Sequence, residues 1–267
     1  MQKIGVVYLA RAKDGMEAVE RFCDSYGRHS AGLEHKLLVV RKGFPRIEAT
    51  QFDHVFKTLP HQELFISDFG FDIRAYRLAA EAFECEHLFF FNTSSEILGA
   101  GWLEKSYSQS VKPGVGLVGA TGSWESMYSN VLAEQSARAA AKPARWLRKT
   151  ICRFCFDPFP NYHLRTNAFI IRRELMLMLW PRCVLTKRGA YLFENGKHSL
   201  TKRVMRQGLK MIVVGRDGKG YEKEEWNRSG TFRQRNQENL LVADNQTRRY
   251  ANADEAARNH LARAAWG

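Results

Sequence analysis

The chain of 267 residues is long enough to bury a sizeable hydrophobic core, either in one large α/β domain or in two small ones. Hydrophobic residues make up 45% of it and aromatic residues 12%, which excludes a disordered chain. The formal net charge of +13 predicts a polyanionic partner. Composition leaves three kinds of partner open: nucleic acid, an anionic membrane surface and phosphorylated substrates.

The lengths of the apolar runs and the distribution of cysteines indicate where in the cell the protein is found. No apolar run approaches the roughly 18 residues of a membrane-spanning helix. The apolar run Ile4–Ala10 is short and is followed at once by Arg11, so it predicts a first strand rather than a signal peptide. The 5 cysteines are scattered, as is typical of a reducing compartment. We therefore expect a cytoplasmic protein.

Strand and helix patterns alternate through the first half of the chain. Buried apolar runs predict strands over Ile4–Leu9, Lys36–Val40, Glu63–Ile66, Leu88–Phe91 and Val115–Val118. The spacing of apolar residues predicts helices over Asp14–Tyr26 and Ile73–Phe83, and a short helix around Trp102. Such alternation predicts an α/β fold with a central, mostly parallel sheet flanked by helices, and with binding sites at the strand ends.

The second half of the chain is less regular. Residues 127–158 are basic and rich in alanine, and they predict a helical insertion that Pro143 interrupts. The elements predicted after it are a strand over Leu164–Arg172, helices over Glu174–Leu179 and Ser199–Gln207, a strand over Leu209–Val214 and a terminal helix near Ala251–Ala265. No internal repeat or clear linker divides the chain, so we predict a single domain over residues 1–267.

The most informative segment runs from His87 to Ser126. A buried strand is followed directly by the polar cluster Asn92–Glu96, then by the short helix and by a second strand that ends in a Gly/Thr/Ser loop. The cluster places oxygen and amide groups at the carboxyl end of the strand. In open α/β sheets, that is where ligands bind.

This segment resembles the centre of GT-A-type nucleotide-sugar glycosyltransferases, in particular the large inverting family that includes many bacterial polysaccharide enzymes. The residues that match the family's strand, acidic motif, short helix and second strand are Phe89–Phe91, Asn92-Thr93-Ser94, Gly101-Trp102-Leu103 and Pro113–Gly119. The resemblance implies one GT-A-like (Rossmann-like) domain. Its parts would be a nucleotide-binding half (1–126), the basic helical insertion (127–158), and an acceptor-side half with the C-terminal tail (159–267).

The resemblance also implies where a nucleotide-sugar donor binds. Ala10, Arg11 and Asp68 stand at the positions that hold the base and ribose, and a carboxylate suits this role because it accepts hydrogen bonds from ribose hydroxyls. Asp72 either binds the donor as well or caps the helix that follows it.

The family's Asp-x-Asp motif is degenerate in this chain. Asn92, Thr93 and Ser94 take its place beside the donor diphosphate, and Glu96 is the nearest acid left to ligate a metal. A Mg or Mn ion between two phosphates prefers carboxylates to neutral oxygens. We therefore expect transfer that requires no metal or other cofactor, with basic side chains neutralising the leaving diphosphate. The alternatives are a site that no longer catalyses and a polar turn that caps the Trp102 helix.

Glu194 matches the acid that serves as general base on the acceptor hydroxyl in the related enzymes, although Asn195 replaces the second acid of their motif. An inverting transfer needs a carboxylate within hydrogen-bond reach of the attacking oxygen. The alternative is an exposed glutamate in a loop.

Five further residues are candidates for substrate contacts. Arg165 and Asn167 lie two positions apart in a predicted strand and would share one face, with Arg165 on a donor phosphate and Asn167 near the acceptor. Thr121 and Trp124 are acceptor-binding candidates, because an indole face stacks on a sugar; the alternative for Trp124 is a place in the core. Arg233 in the tail would close over the donor diphosphate. An edge-strand arginine and a solvated loop arginine are the alternatives for Arg165 and Arg233.

We therefore expect a glycosyltransferase that moves a sugar from a nucleotide-sugar donor to a glycan or lipid-linked acceptor in bacterial surface polysaccharide or lipopolysaccharide synthesis. The basic, aromatic segment 138–156 indicates docking on an anionic membrane surface, which would make the protein peripheral at the inner face of the membrane. A solvated helix that covers the sheet is the alternative there. The alternative function is a non-catalytic GT-A-like module that binds a nucleotide, a glycan or a partner enzyme. No nucleic-acid motif accompanies the charge, so no nucleic-acid partner is expected.

Overall fold

The computed structural model describes residues 2–44, 50–57, 59–137, 142–181, 184 and 186–267. Its strands are β1 (Gln2–Arg11), β2 (Lys36–Lys42), β3 (Gln62–Ile66), β4 (Cys85–Phe91), β5 (Glu96–Ile97), β6 (Val115–Gly119), β7 (Gly122–Ser123), β8 (His163–Leu164), β9 (Ala168–Arg172), β10 (Lys210–Val214), β11 (Gly220–Tyr221) and β12 (Val242–Ala243). Its α-helices are α1 (Met16–Arg28), α2 (Thr50–Phe56), α3 (Asp72–Ala82), α4 (Trp102–Ser110), α5 (Met127–Ala137), α6 (Lys142–Cys155), α7 (Arg173–Leu179), α8 (Lys187–Asn195), α9 (Leu200–Arg206), α10 (Asn245–Ala251) and α11 (Glu255–Trp266). Two 3-10 helices cover Ala12–Asp14 and Trp226–Arg228.

The centre of the described structure is an eight-stranded sheet in the order β11-β10-β6-β9-β4-β1-β2-β3. Strands β1 to β4 run parallel to one another, and β10 runs parallel to β6. Strand β9 is antiparallel and joins these two groups by pairing with both β4 and β6. The predicted fold class, an α/β domain with a mostly parallel central sheet flanked by helices, is confirmed.

Both faces of the sheet are buried, which explains why the central strands are continuous apolar runs rather than alternating ones. On one face, residues such as Val7 and Phe90 pack with apolar side chains of α3, α7 and α9. On the other face, residues such as Tyr8 and Phe91 pack with α1 and α4. Since both faces are covered by helices, a ligand can reach the sheet at the ends of its strands.

The predicted single strand over Leu164–Arg172 is wrong. The structure has two strands there, because the chain changes partners: β8 pairs with β7 in a small separate sheet, and β9 enters the central sheet. Arg165 and Asn167 therefore lie in the connection between two strands and do not share a strand face. Two short strands with no turn-forming glycine or proline between them resemble one strand in the sequence.

The predicted helical segment 127–158 contains the two helices α5 and α6. Pro143 lies in the first turn of α6, where a backbone N–H has no intrahelical partner to lose. Arg138, one of the basic residues of this segment, lies outside the described residues. Within the described part of the chain, no helix is long and apolar enough to cross a membrane. The division of the chain into three segments stays a prediction.

Candidate active site

A cavity of about 360 Å³ opens beyond the carboxyl ends of β4 and β6, and we call it the Glu194 cavity. Most of the residues that line it are polar or charged: Asp72, Asn92, Ser123, Glu125, His163, Arg165, Thr166, Asn167, Tyr191, Glu194, Asn195, Phe232, Arg233, Asp244, Asn245 and Gln246. It therefore collects side chains from both halves of the chain at the edge of the sheet where α/β proteins bind ligands.

Glu194 lies in the last turn of α8 and is partly buried. Helix α8 begins at a side-chain cap, in which the Thr186 hydroxyl accepts a hydrogen bond from the Gly189 N–H. Its apolar side packs into the core through Phe193, whose ring lies 4.7 Å from that of Trp180. The exposed-loop interpretation of Glu194 is wrong, because the residue is helical and faces the cavity.

Burial raises the pKa of the Glu194 carboxyl above its ordinary value. The Thr166 hydroxyl donates a hydrogen bond of 2.5 Å to Oε1 and opposes this change, as does the charge of Arg165, whereas the charge of Asp72 adds to it. One carboxylate oxygen is thus fixed by Thr166. No side-chain hydrogen bond within the described structure engages Oε2.

Asp72 is the first residue of α3, and the residue that caps this helix is Phe71. The capping interpretation of Asp72 is therefore wrong. Its carboxylate lines the Glu194 cavity, and burial raises its pKa although Lys42 and Arg11 act in the opposite direction. A negative charge in the first turn is favoured by the helix dipole.

Two arginines that line the cavity lie close to the ring of Phe232. Arg165 binds Asp244 at 2.6 Å, and its guanidinium lies 4.4 Å from the centre of the Phe232 ring. Arg233 binds Glu125 at 3.2 Å and lies 4.8 Å from the same ring centre. Burial opposes the charge of Asp244, but Arg165 and the hydrogen bonds from Thr247 together hold the pKa of Asp244 below its ordinary value. Each arginine is therefore balanced by a carboxylate of the site.

The three residues at the position of the acidic motif have different surroundings. Of Asn92, Thr93 and Ser94, Asn92 alone lines the cavity, and its Oδ1 accepts a hydrogen bond from Ser95. Thr93 is buried, and its carbonyl accepts a hydrogen bond from the Tyr8 hydroxyl. The Ser94 carbonyl accepts one from Arg248, which also forms an ion pair of 3.3 Å with Glu96.

These contacts do not suit a divalent cation. Glu96 is engaged by Arg248 and does not line the Glu194 cavity, while Asn92 offers a neutral oxygen. Among the residues that the structure describes, no group of three or more His, Cys, Asp or Glu side chains is arranged to hold a metal ion. The site therefore does not fit a Mg or Mn ion bound in the family's way.

The predicted base and ribose contacts form a second group at the ends of β1, β2 and β3. Ala10 is buried in β1, and Arg11 binds Asp68 at 3.0 Å. Lys13 and Lys42 bind the same carboxylate at 2.6 and 3.0 Å. Hydrogen bonds from Lys13 and Arg11 hold the pKa of Asp68 far below its ordinary value. None of these residues lines the Glu194 cavity, so the predicted donor contacts divide into two neighbouring groups.

The predicted acceptor contacts also divide. The Thr121 hydroxyl donates a hydrogen bond of 2.9 Å to Oδ1 of Asn167, which lines the cavity. The indole of Trp124 donates to the Lys223 carbonyl and packs edge-on against Tyr162 and Trp266. These contacts place Trp124 in a half-buried aromatic cluster, and its stacking on a sugar stays a prediction.

Sequence reasoning assigned no role of their own to Glu125, His163 and Asp244. Glu125 directly follows the predicted residue Trp124, and Asp244 is the first residue of an Asp-x-x-Thr pattern that forms a capping box on α10. His163 is buried, and this lowers the pKa of its imidazole to about 4. Its Nδ1 lies 2.9 Å from the Asn161 carbonyl, which can only accept, so Nδ1 carries the proton and Nε2 is a neutral acceptor.

Comparison with known proteins gives distant structural likenesses only. No protein-family model and no curated protein matches this chain. A mannosyltransferase from Pyrobaculum calidifontis in complex with GDP-Man and Mn²⁺ is similar, with a TM-score of 0.49 and 13% identity over 79% of this chain and 54% of that one. This chain thus spans about half the length of that mannosyltransferase.

Two further similar structures come from other organisms. They are the 4-diphosphocytidyl-2C-methyl-D-erythritol synthase of Anaerococcus prevotii (TM-score 0.48, 11% identity, 80% of this chain and 88% of that one) and mouse xyloside xylosyltransferase 1 in its apo form (TM-score 0.44, 8% identity, 80% and 84%). At these identities and TM-scores, the likeness carries no conclusion about activity.

Proposed function

We propose that this chain is a glycosyltransferase that moves a sugar from a nucleotide-sugar donor to a hydroxyl group of a glycan or lipid-linked acceptor. The observation that carries the proposal is the Glu194 carboxylate, which lies in a polar cavity at the strand ends with its pKa raised by burial. A general base is most effective when its pKa is close to the working pH. The position of Glu194 in the cavity and the raised pKa of its carboxyl support that role.

The proposed reaction is a direct displacement that inverts the configuration of the transferred sugar. Thr166 orients Glu194 through Oε1, and Oε2 takes the proton of the acceptor hydroxyl. The acceptor oxygen forms a bond to the anomeric carbon while the bond between that carbon and the diphosphate oxygen breaks. The departing nucleoside diphosphate keeps the electron pair.

The leaving diphosphate needs positive charge, and Arg165 and Arg233 are proposed to supply it. Both line the same cavity as Glu194, and a guanidinium binds phosphate oxygens in a bidentate manner. Such preorganised charge stabilises the transition state. Because no three His, Cys, Asp or Glu side chains among the described residues are grouped to hold a metal ion, and Asn92 replaces an acid, we propose that transfer needs no divalent cation.

The remaining predicted donor contacts suit the nucleoside. Asp68 stays ionised because Lys13, Arg11 and Lys42 surround it, and an ionised carboxylate accepts hydrogen bonds from ribose hydroxyls. We propose that the nucleoside lies at the ends of β1 and β3, with its diphosphate directed towards the Glu194 cavity.

The decisive test is the variant Glu194→Gln, which keeps the size of the side chain and its hydrogen bond with Thr166 but removes the base. Transfer should fall by about 10²–10⁴-fold, while the affinity for the donor stays within twofold. The matched control is Glu174→Gln, which makes the same change at an exposed position on α7. A Glu194→Gln enzyme that keeps its activity would remove the assignment.

The acceptor is proposed to belong to bacterial surface polysaccharide or lipopolysaccharide synthesis at the inner face of the membrane. Helix α6 supports this, because Trp146 and Phe154 are 67% and 76% exposed and lie on one side of the helix at about 3.6 residues per turn. Exposed Leu147, Lys149 and Arg153 lie near them. Exposed aromatic and basic side chains on one helix are typical of contact with an anionic lipid surface.

Vesicle binding tests the membrane contact. The protein should sediment with phosphatidylglycerol vesicles and not with phosphatidylcholine vesicles, and the double variant Trp146→Ser/Phe154→Ser should lose most of this binding. Phe69→Ser removes another exposed aromatic ring, which is not part of α6, and should bind as the wild type does. Equal binding by all three proteins would contradict the role of α6.

A second candidate function is a non-catalytic module that binds a nucleotide, a glycan or a partner enzyme. It is favoured by the carboxylates that already occupy Arg165 and Arg233, and by Asn92 and Ser94 at the position of the acidic motif. Assays of transfer and of donor hydrolysis, each with and without EDTA, distinguish the two functions. A protein that binds a nucleotide sugar but neither transfers nor hydrolyses it would be such a module.

A further inference from the structure

A second, larger cavity of about 820 Å³ lies between the C-terminal loop and α11, and we call it the arginine cavity. Arg228, Arg235 and Arg263 line it from three different places: the second 3-10 helix, the loop that follows it, and α11. The buried Arg233 lines it as well. Against these four guanidinium groups, the lining side chains include one carboxylate, that of Glu238.

Three of these four charges have no ion-pair partner within the described part of the chain, whereas Arg233 pairs with Glu125. Arg228, Arg235 and Arg263 are exposed, and their guanidinium groups make no hydrogen bond or ion pair with a described residue. Arg233 is 7% exposed, and its Nε donates to no described residue. Arg228, Arg235 and Arg263 carry like charges that repel one another, so a bound anion would stabilise this arrangement.

The loop that carries Arg233 and Arg235 has an unusual backbone. Arg233, Arg235 and Gln237 have φ angles of +50°, +45° and +55°, a region that side-chain-bearing residues seldom occupy. Hydrogen bonds hold this shape: the Arg233 N–H donates to the Gln237 side chain, which in turn donates to the Thr247 carbonyl. Strained backbone that is held in place by its surroundings is characteristic of binding sites.

The two cavities are adjacent, because Arg233 lines both of them. The arginine cavity is built from residues 227–267 and includes nothing from the ends of β1 and β3, where the nucleoside is proposed to bind. Trp266 supplies an apolar wall. A molecule that filled the arginine cavity would therefore lie next to the Glu194 cavity without using the residues proposed to hold the nucleoside.

We propose that the arginine cavity binds a phosphate ester carried by the acceptor, which makes the acceptor a phosphorylated saccharide or a saccharide linked to a phospholipid. A phosphate offers several oxygens to several guanidinium groups at once, whereas a carboxylate offers two. This inference rests on the proposed function, because it treats the ligand of the arginine cavity as the acceptor.

Calorimetry with inorganic pyrophosphate tests the site without requiring activity. The variant Arg235→Gln/Arg263→Gln should bind pyrophosphate at least tenfold more weakly than the wild type, and Arg235→Lys/Arg263→Lys should lose less. The control Lys112→Gln/Arg172→Gln removes the same charge at exposed positions elsewhere and should bind within twofold of the wild type. Glu194→Gln should also bind normally. Equal affinity in the wild type and the double glutamine variant would overturn the proposal.

Competition separates an acceptor site from a donor site. Nucleoside diphosphates are first screened for those that raise the melting temperature of the protein and therefore bind it. Each of these is then added at a saturating concentration, and the protein should still bind pyrophosphate. Complete displacement would assign the arginines to the donor diphosphate and overturn the proposal. Arginine-dependent binding of pyrophosphate with no response to any nucleoside diphosphate would contradict the proposed function while supporting the anion site.

The source of the phosphate is decided with two more probes. Glucose 1-phosphate represents a soluble phosphorylated saccharide, and phosphatidylglycerol vesicles represent a lipid headgroup. The probe whose binding falls in Arg235→Gln/Arg263→Gln, with α6 intact, identifies the source. If Arg235→Gln/Arg263→Gln binds both probes as well as the wild type does, the site holds an adventitious ion only. This result would overturn the acceptor assignment.

Discussion

Asp68 and Glu194 are two carboxylates at the same edge of the sheet, and their surroundings act on them in opposite directions. Asp68 receives Arg11, Lys13 and Lys42, and hydrogen bonds from these cations lower its pKa. Glu194 is partly buried, receives a neutral hydroxyl from Thr166, and has its pKa raised by that burial.

The contrast shows which group can serve as a base. A carboxylate held ionised by three cations is a fixed acceptor of hydrogen bonds and a poor acceptor of a proton. A carboxylate that burial pushes towards protonation takes up a proton more readily. Environment, more than residue type, therefore supports the proposal that Asp68 binds the donor and Glu194 accepts the proton.

The largest expected change in stability follows from Asp68→Asn. The Lys42 side chain is 0% exposed and donates to the Asp68 carboxylate and to the Asp68 and Gly70 carbonyls. Removing the carboxylate leaves a buried ammonium group without its counter-charge, so we expect the free energy of unfolding to fall by about 3 kcal/mol at pH 7. Urea denaturation measures it. Lys13→Gln, which removes a 71% exposed partner, should cost less than about 1 kcal/mol.

The pH dependence of this variant has a definite sign. The pKa of Asp68 is lowered on folding, so the stability it contributes is present above its ordinary pKa of 3.8 and is lost as the pH falls through the folded value. The difference between Asp68→Asn and the wild type should therefore be full at pH 7 and shrink below about pH 4. A difference that stays constant down to pH 2 would show that the ion pairs are not its cause.

Much of the fold was predictable from the sequence, because the apolar runs of β1, β2, β4 and β6 are buried on both faces. The predicted helices corresponding to α1, α3 and α4 also match. The error at Leu164–Arg172 and the absence of any prediction for β5 and β12 have one cause. Two-residue strands such as β5 and β12 are defined by tertiary pairing, for example of Val242 with Ile97, and leave no periodic pattern.

The site was predictable only in part. Of the predicted contacts, Glu194, Asp72, Asn92, Arg165, Asn167 and Arg233 meet in one cavity. The pairing of Arg165 with Asp244 spans 79 positions of the sequence, and that of Arg233 with Glu125 spans 108. No local pattern shows such partners, so the balance of charge in the site required the structure.

Glu194→Gln should alter stability in the opposite sense to Asp68→Asn. The pKa of Glu194 is raised on folding, so the wild type loses stability as the pH rises from the ordinary value of 4.5 through the folded value, and glutamine avoids this loss. The variant should match the wild type near pH 4 and be more stable at pH 8, by on the order of 1 kcal/mol. Thermal unfolding at several pH values measures it, and a destabilised variant at pH 8 would contradict the assigned environment.

A smaller effect is expected when Asp72 becomes Asn. The charge of Asp72 helps to raise the pKa of Glu194, so its removal should move the acidic limb of the pH–rate profile of kcat to lower pH. The decisive quantity is the position of that limb rather than the rate itself, because Asp72 is also a candidate for donor binding. An acidic limb that stays at the same pH would show that the charge of Asp72 does not influence the pKa of Glu194.

His163 should show no titration at all over the range in which Glu194 is proposed to work. Burial lowers its pKa to about 4, and its Nδ1–H is held by the Asn161 carbonyl, so the imidazole stays neutral at pH 6 to 8 and adds no positive charge beside Glu194. Two-bond ¹⁵N–¹H NMR spectra, assigned with the variant His163→Phe, should show the Nδ1–H tautomer unchanged from pH 8 to pH 5. Below pH 6.5 the unfolded chain takes up the proton first, so the contribution of His163 to stability falls towards pH 4. An imidazole that titrates near 6.5 would place a second proton acceptor in the cavity, and the pH–rate profile would then belong to the histidine as much as to Glu194.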